Sequence, residues 1–238
     1  MLSKNELKKI RLLREKKHRS RLGLFIAEGI KIVQELILEG YFFESIYSSK
    51  PINFVPHKLV DKSTLNKISQ LTNANTIIGI FKIPKPSNSF VTESFSLAVD
   101  SISDPGNLGT IIRLCDWFGV KNIYCSSDTV DCYNSKVVQS SMGSIARVKC
   151  HYTDLISFLS KYESTIYGAT LNGRNHYDHS YDKKGILVVG NESHGISAKI
   201  LQEIDQNVTV TSKGGGTNAE SLNVATATAI LLGEIFRP

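Results

Sequence analysis

The apolar and polar positions of the chain first describe a small mixed domain. IKIVQELILEG repeats Ile30, Val33 and Ile37 at helical spacing, and Gly40 is well placed to cap that helix. The runs FFESIYSS, FVPHKLV and TIIGIFKI have the length and composition of short strands. This alternation of helices and strands continues to about residue 84 and predicts a small α/β domain.

Beyond the proline- and serine-rich stretch IPKPSNS, which is typical of a linker, the pattern becomes regular. SFSLAVDSI, NIYCSS, TIYGATL, GILVVGN and NVTVTS are strand candidates, and helical candidates lie between most of them. This spacing predicts a mainly parallel sheet with helices on both faces. We therefore expect a first domain at residues 1–86, a linker at 87–94 and a second domain at 95–238.

The N-terminal segment combines positive charge with helical periodicity. Leu7, Ile10 and Leu13 form one apolar stripe, which predicts a basic amphipathic helix. One interpretation is an ordinary solvated helix face. The other is a surface that contacts RNA phosphates, because clustered cations release counterions from a nucleic acid. The candidate RNA-binding residues are Lys8, Lys9, Arg11, Lys16, Lys17 and Arg19.

Composition adds limits but no function. The formal net charge of +6 and the pI near 9.0 favour a polyanionic partner without requiring one. The four cysteines show neither zinc-site spacing nor the density of a disulfide scaffold, so we expect reduced, mostly buried thiols and no metal. No apolar run approaches the roughly 20 residues that span a bilayer, and the N-terminus lacks a signal-peptide core. We expect a cytoplasmic protein without a membrane partner.

A first motif, DPGNLGTIIRLCDWFG, occupies residues 104–119 directly after the strand candidate LAVDSI. Pro105 and Gly106 predict a turn, and Asn107 is a candidate cap for the helix that follows. Arg113 lies among the apolar residues of that helix. It could simply extend past the core to a surface carboxylate, as helix arginines often do. The glycines do not match a dinucleotide fingerprint.

A second motif, ILVVGNESHGIS, occupies residues 186–197. Its hydrophobic strand ends at Gly190, and the polar residues Asn191, Glu192 and Ser193 follow. Ligands of parallel α/β sheets bind at such carboxyl ends, where a glycine permits close backbone approach. An ordinary strand-to-helix turn is the alternative interpretation. His194 has no identified partner and is assigned no role.

A third motif begins at residue 207 with NVTVTSKGGGTNAESLNVATATAILLGEI. Its glycine loop is not followed by GK[ST], so a phosphate-binding P-loop is not expected. AESLN then opens a small-residue helix, at whose start Ser221 or Asn223 could present a polar group. The alanines at 225, 227 and 229 indicate close packing against another backbone, and the two interpretations are compatible.

In this order, the three motifs resemble the SpoU class of SPOUT RNA 2′-O-ribose methyltransferases through essentially all of the second domain. The stretches KNELKKIRLLREKKHRSRLGLFIAEGIKIV and LTNANTIIGIF are similar to the substrate-binding domain of several members, whose fold resembles a ribosomal-protein RNA-binding module. The resemblance implies a deep trefoil knot in residues 185–238, S-adenosylmethionine as methyl donor without a metal, and a homodimer that packs through the knot regions.

The resemblance also assigns residues. By motif position, S-adenosylmethionine would be contacted, largely through backbone groups, by Gly190, Val210, Leu222, Asn191 and Thr170. The reaction centre would be lined by Asn107, Arg113, Glu192, Ser221 and Asn223. The family usually has proline and methionine where this chain has Thr211 and Ser212, and the loop at 214–218 is longer, which bears on the adenine contacts.

The chemistry needs a site that activates a weak nucleophile, the ribose 2′-hydroxyl. We expect Arg113 to stabilise the developing negative charge, because a guanidinium resists deprotonation, with the substrate phosphate helping to accept the proton. Asn107 would position Arg113 or the ribose. The resemblance favours ribose over a base nitrogen as the methylated group, because base-methylating relatives use polar residues other than Asn107, Arg113 and the SLN sequence. Two-domain members with a similar N-terminal region more often resemble ribosomal RNA enzymes, so we expect ribosomal RNA rather than transfer RNA.

Three other functions stay open at this stage. They are a catalytically silent RNA-binding protein, an RNA base methyltransferase and, with less support, a small-molecule methyltransferase. The basic first segment and the additional domain argue against the last.

Overall fold

A computed structural model of the chain describes residues 2–85, 94–212 and 221–238. The predicted linker and the glycine loop at 214–218 fall outside these residues, except for position 94. The chain forms two compact units. The N-terminal unit comprises Met1–Pro86 with Asp131–Ala146, and the C-terminal unit comprises Ser87–Val130 with Arg147–Pro238.

The described residues contain helices and strands of ordinary length. The helices are α1 (Lys4–Leu12), α2 (Lys16–Leu22), α3 (Ile30–Leu38), α4 (Lys62–Ile68), α5 (Pro105–Trp117), α6 (Ser135–Ser140), α7 (Leu155–Leu159), α8 (Ala198–Leu201) and α9 (Val224–Ile235). The strands are β1 (Leu24–Glu28), β2 (Phe43–Ser48), β3 (Lys58–Leu59), β4 (Ile77–Lys82), β5 (Ser96–Val99), β6 (Asn122–Cys125), β7 (Lys149–Tyr152), β8 (Ile166–Asn175), β9 (Ile186–Val189) and β10 (Gln206–Thr209).

The N-terminal unit is a small α/β domain around a four-stranded sheet of order β1-β4-β2-β3. Strand β4 is antiparallel to both β1 and β2, and the short β3 is parallel to β2. The prediction of a small α/β domain is confirmed. Helix α6 belongs to this unit through its contacts with β1, although it lies within the second predicted domain of the sequence.

The N-terminal basic segment forms two helices, and the prediction of a single helix is wrong. Helix α1 starts at a capping box in which Ser3 and Glu6 bond reciprocally. It ends at Leu13, which is buried in the core, and α2 starts after the extended Glu15. Because the helix is interrupted between Leu13 and Glu15, the side chains of Leu13 and Arg19 are both buried in the N-terminal unit.

Helix α3 has the predicted position but a different buried face. Ile32, Val33 and Leu36 are buried, whereas Ile30 is 48 % exposed. Gly40 adopts a left-handed φ of 76° beyond the helix end, and its N–H donates to the carbonyl of Ile37 at 3.0 Å. Gly40 therefore ends the helix in a Schellman-type turn, as the sequence predicts.

The C-terminal unit contains a six-stranded parallel sheet of order β10-β8-β9-β5-β6-β7. Every residue of β5, β6 and β9 is buried, which requires cover on both faces of the sheet. Helices α7 and α8 pack on one face around Ala98 and Val188. The prediction of a covered parallel α/β sheet is confirmed, and the sequence analysis missed only the half-exposed edge strand β7.

The prediction that the cysteines are unpaired and mostly buried is confirmed. All four cysteines are free, and three of them are buried. Burial raises the pKa of the Cys115 thiol well above its ordinary value. No helix in the described ranges is both long and apolar enough to cross a bilayer, and these ranges hold no group of side chains suited to a metal ion.

Arg19 has a structural role, which corrects its assignment to an RNA-binding surface. The side chain is only 3 % exposed, and its Nε donates to Asp131 Oδ2 at 2.8 Å. Its Nη1 also donates to the carbonyl oxygens of Leu13 and Arg14, at 2.9 and 2.8 Å. These bonds occupy the guanidinium inside the N-terminal unit, so it cannot reach a phosphate.

Replacement of Arg19 by alanine should strongly destabilise the N-terminal unit. Asp131 would stay mostly buried without its partner, which typically costs about 3–5 kcal/mol of unfolding free energy. Lys17→Ala, which removes an exposed pair with Glu15, should cost less than about 1 kcal/mol. Urea unfolding of both variants measures the difference, and equal losses would contradict a structural role for Arg19.

Candidate active site

The register of the parallel sheet places the ends of the motif strands at one edge. Gly168 of β8 lies beside Val188 of β9, which in turn lies beside Ala98 of β5. Because neighbouring parallel strands run in the same direction, the residues that follow β5 and β9 lie together at this edge, at the level of Thr170 within β8.

Three polar side chains from the three motifs form a hydrogen-bonded chain at this edge. Asn107 Nδ2 donates to Glu192 Oε1 at 2.9 Å, and Asn223 Nδ2 donates to Asn107 Oδ1 at 3.0 Å. The carboxylate of Glu192 also accepts from the backbone N–H groups of Ser103, at 3.4 Å, and Asp104, at 3.3 Å. The structure thus brings Asn107, Glu192 and Asn223 together as expected.

Two helix caps hold these side chains in place. Asp104, not Asn107, caps α5 by accepting from the N–H of Asn107 at 2.9 Å, which corrects the predicted cap. The side chain of Asn107 is therefore available for the site. Asn223 caps α9 by accepting from the N–H of Ala225 at 2.9 Å, while its amide reaches Asn107.

The loop after β9 needs glycine at its first position. A Cβ atom on Gly190 would lie 2.1 Å from the backbone carbon of Gly195, a distance that no side chain tolerates. Asn191 and Gly195 exchange two backbone hydrogen bonds of 2.9 Å across this tight loop. The loop fixes Glu192 at its tip.

The side chain of Asn191 is used to order the loop. Its Oδ1 accepts from the N–H of Ser193 at 2.8 Å, and its Nδ2 donates to the carbonyl of Ser101 at 2.7 Å. A cofactor contact by Asn191 stays a prediction.

Ser101 is a residue that the sequence analysis missed. Its φ of 58° is left-handed, which is rare outside glycine. The conformation is held by a bond from its N–H to Ser126 Oγ at 2.8 Å and from its Oγ to Asp128 Oδ2 at 2.6 Å. The sequence offers one signal for a functional role of Ser101, which is its position two residues after the end of β5. A left-handed backbone conformation at a serine leaves no pattern in the sequence.

The environment of Glu192 favours its ionised form. Burial by itself raises the pKa of this carboxyl. The hydrogen bonds from Asn107, Ser103 and Asp104 have the opposite effect and together hold the pKa below its ordinary value. Glu192 is therefore a carboxylate at neutral pH, and it fixes the amide of Asn107 as a donor toward it.

Arg113 lies on the exposed side of α5, next to the buried Ile112. Within residues 2–85, 94–212 and 221–238, no carboxylate pairs with its guanidinium, so the described part of the chain does not support a simple surface ion pair. Ser221 and Leu222 are exposed immediately before Asn223.

Three of the residues expected to contact the cofactor, Thr170, Gly190 and Val210, lie near one another in the sheet. Gly190 follows Val188, which pairs with Gly168, two residues before Thr170. Val210 follows Thr209, whose hydroxyl donates to the carbonyl of Thr170. The buried Oγ1 of Thr170 has no hydrogen-bond partner among the described residues. This edge thus combines an unsatisfied hydroxyl with a glycine that must remain free of a Cβ atom.

Most of the predicted RNA-binding cations already have partners in the N-terminal unit. Lys9 Nζ lies 2.7 Å from Glu44 Oε2, and Lys17 Nζ lies 2.9 Å from Glu15 Oε2. Arg11 Nε donates to the carbonyl of Lys67 at 3.1 Å. Lys8 and Lys16 are exposed. RNA contact by any of these side chains except the buried Arg19 stays a prediction.

Comparison with known proteins connects this site to a family. The model of the SpoU rRNA methylase family matches residues 94–233, and that of the MRM3-like substrate-binding domain matches residues 4–79. The 23S rRNA (guanosine(2553)-2′-O)-methyltransferase RlmP of Bacillus subtilis strain 168 is 28 % identical over 232 residues, which cover 92 % of this chain and 91 % of RlmP.

Solved structures extend the similarity over the whole chain. A TrmH-family protein from Porphyromonas gingivalis is 34 % identical, with a TM-score of 0.86 over 99 % of this chain and 98 % of its own. An AdoMet-bound rRNA methyltransferase from Sinorhizobium meliloti is 27 % identical, with a TM-score of 0.88 over 100 % of this chain and 96 % of its own. With its three motifs joined at one sheet edge, this chain belongs to the SpoU rRNA methylase family.

Proposed function

We propose that the protein transfers a methyl group from S-adenosylmethionine to a ribose 2′-hydroxyl of ribosomal RNA. The observation that carries this proposal is the hydrogen-bonded chain of Asn107, Glu192 and Asn223 beside α5, the helix of Arg113. The family match and the 2′-O-methyltransferase activity of the similar protein RlmP support the same reaction.

The strand ends fit S-adenosylmethionine as the cofactor. Gly190 leaves room for close backbone approach, and the Thr170 hydroxyl, which has no partner among the described residues, could bond a polar ligand. Val210 and the exposed Leu222 would complete the binding residues on either side. When bound, the cofactor supplies a methyl group made electrophilic by the sulfonium.

The protein must then make the ribose hydroxyl a better nucleophile. Arg113 would stabilise the negative charge that develops on the ribose oxygen, and the substrate phosphate would help to accept the proton. Glu192 orients the amide of Asn107, which positions the ribose. Ser221 and Asn223 would line the opposite side, at the N-terminal end of α9.

The proposal includes features that the resemblance implies. We infer a deep trefoil knot in residues 185–238, a homodimer formed through this region, and a cytoplasmic enzyme without a membrane partner. Trp117, which is 82 % exposed, and Phe236, which is 38 % exposed, are apolar side chains that a second copy could cover. The boundaries at residues 1–86, 87–94 and 95–238 remain our proposed domains.

Arg113→Ala should lower the rate of methyl transfer to ribosomal RNA by about 10²- to 10³-fold, as expected when one electrostatic donor is removed from a transition state. Initial rates with labelled S-adenosylmethionine measure the effect. Lys199→Ala, which removes an exposed charge of the same unit, should transfer methyl at the normal rate. A normal rate for Arg113→Ala would exclude the proposed role.

Gly190→Ala should abolish binding of S-adenosylmethionine, because the added Cβ would displace the backbone of Gly195. Wild-type protein at 100 times the dissociation constant should gain about 2.7 kcal/mol of stability, seen as a rise in Tm. Gly40→Ala is the matched control, since it strains a turn in the N-terminal unit but leaves the strand ends intact. A ligand-induced rise retained by Gly190→Ala would refute the placement of the cofactor.

Glu192→Gln should lower the free energy of unfolding only at pH values at which the Glu192 carboxylate of the wild type is ionised. Since the folded state lowers the pKa of Glu192, its contribution is complete above the ordinary value near 4.5 and is lost as pH falls through the folded-state pKa. Urea unfolding at pH 7 should show a deficit of no more than about 1 kcal/mol for this partly exposed group. A deficit that grows in acid would contradict the assigned hydrogen bonds.

A further inference from the structure

The charge of the protein is concentrated in one unit. The N-terminal unit contains 17 Lys and Arg against 8 Asp and Glu, a formal charge of +9. The C-terminal unit contains 11 Lys and Arg against 14 Asp and Glu, a formal charge of −3. The attraction for a polyanion therefore comes from the N-terminal unit.

The N-terminal helices do not present most of that charge freely. Lys9, Lys17 and Arg19 form ion pairs, and Arg11 and Arg14 bond to the carbonyls of Lys67 and Ser69. Apart from the local pair of Lys17 with Glu15, these bonds tie α1 and α2 to the rest of the unit. An RNA-binding face must therefore also be sought among cations that have no such partner.

Lys31 and Lys50 are two such cations. Both are exposed, and neither has a carboxylate partner in the described part of the chain. Lys31 lies in the first turn of α3, beside the exposed Ile30, and Lys50 precedes Pro51 in the segment between β2 and β3.

An open cleft has walls that adjoin these two lysines in the sequence, because Ile30 precedes Lys31 and Pro51 follows Lys50. It is lined by Ile30, Gln34, Pro51, Ile52, Asn53 and Phe54 and has a volume of about 580 Å³. Its walls are therefore largely apolar, with one aromatic ring that is partly exposed and two carboxamide side chains that are exposed.

We propose that this cleft binds an unpaired base of the RNA substrate. The ring of Phe54 and the side chain of Ile30 would pack on the base plane, since every base offers a π-face. Gln34 and Asn53 carry the paired donor and acceptor that match a base edge. Lys31 and Lys50 would contact the flanking phosphates.

The positive charge around the cleft complements the phosphates of RNA, which favours RNA rather than an apolar peptide as the occupant. The cleft belongs to the unit with a formal charge of +9, and its two neighbouring lysines are unpaired within the described residues. A paired duplex would keep its bases stacked and out of reach, so the cleft selects unpaired nucleotides. This inference rests on the proposed function, because it assumes an RNA substrate.

The test compares two labelled RNAs of equal length and charge, a stem–loop with an unpaired loop and a fully paired duplex. Fluorescence anisotropy gives the Kd of each for wild type, Phe54→Ala, Phe54→Tyr and Asn53→Ala, and thermal melting checks that each variant is folded. Phe54→Ala should weaken binding of the stem–loop by about 5- to 100-fold, as loss of one stacked base predicts, and leave the duplex unchanged. Phe54→Tyr should bind normally.

Charge variants provide a second, independent measure. Lys31→Ala and Lys50→Ala should each reduce the salt dependence of log Kd by about one unit of slope, whereas Lys67→Ala, an exposed lysine at the end of α4, should not. If Phe54→Ala fails to fold, Asn53→Ala with the lysine variants still decides the question.

Normal stem–loop binding by these cleft variants would overturn the inference, as would an equal loss for stem–loop and duplex. Wild-type thermal shift with S-adenosylmethionine and methyl transfer are measured in parallel. If wild type transfers methyl but the cleft variants bind RNA normally, only the cleft assignment fails. If wild type neither transfers methyl nor binds either RNA, the proposed function fails and the cleft inference with it.

Discussion

The carboxylate of Glu192 is the point on which the proposed site depends. It accepts from the amide of Asn107, which precedes it by 85 residues in the chain, and Asn107 accepts in turn from Asn223, which lies 116 residues after Asn107. These bonds are possible because parallel strands deliver their carboxyl ends to one edge, and because Gly190 lets the following loop fold back within contact of Gly195. A side chain at residue 190 would displace the loop that positions Glu192.

The sequence predicted the fold and the shared location of the motifs because both follow from local patterns. Buried strands read as apolar runs, and polar residues after their ends point to one sheet edge. It predicted Gly40 as the end of α3, but it did not predict the cap of α5 or the partner of Arg19. Asp104 replaced Asn107 as the cap of α5, and Arg19 proved to be buried against Asp131, more than 100 residues away. Such partners depend on tertiary contacts that no local window contains.

The two units differ in net charge and in the groups that they carry. The N-terminal unit has a formal charge of +9, but many of its cations bond within the unit, so positive charge in a sequence does not by itself locate a binding face. The C-terminal unit, which carries the candidate active site, has a formal charge of −3. Arg113 would then act on a local charge that develops during reaction, while affinity for RNA comes mainly from elsewhere in the chain.

The central claim is that the methyl group reaches a ribose oxygen. The most direct measurement is to incubate the protein with labelled S-adenosylmethionine and RNA from cells lacking this gene, digest the RNA to nucleosides, and identify the labelled product. We expect label in a 2′-O-methylnucleoside from ribosomal RNA. Label in a methylated base would contradict the assigned chemistry, and no label in any RNA would favour a silent RNA-binding protein.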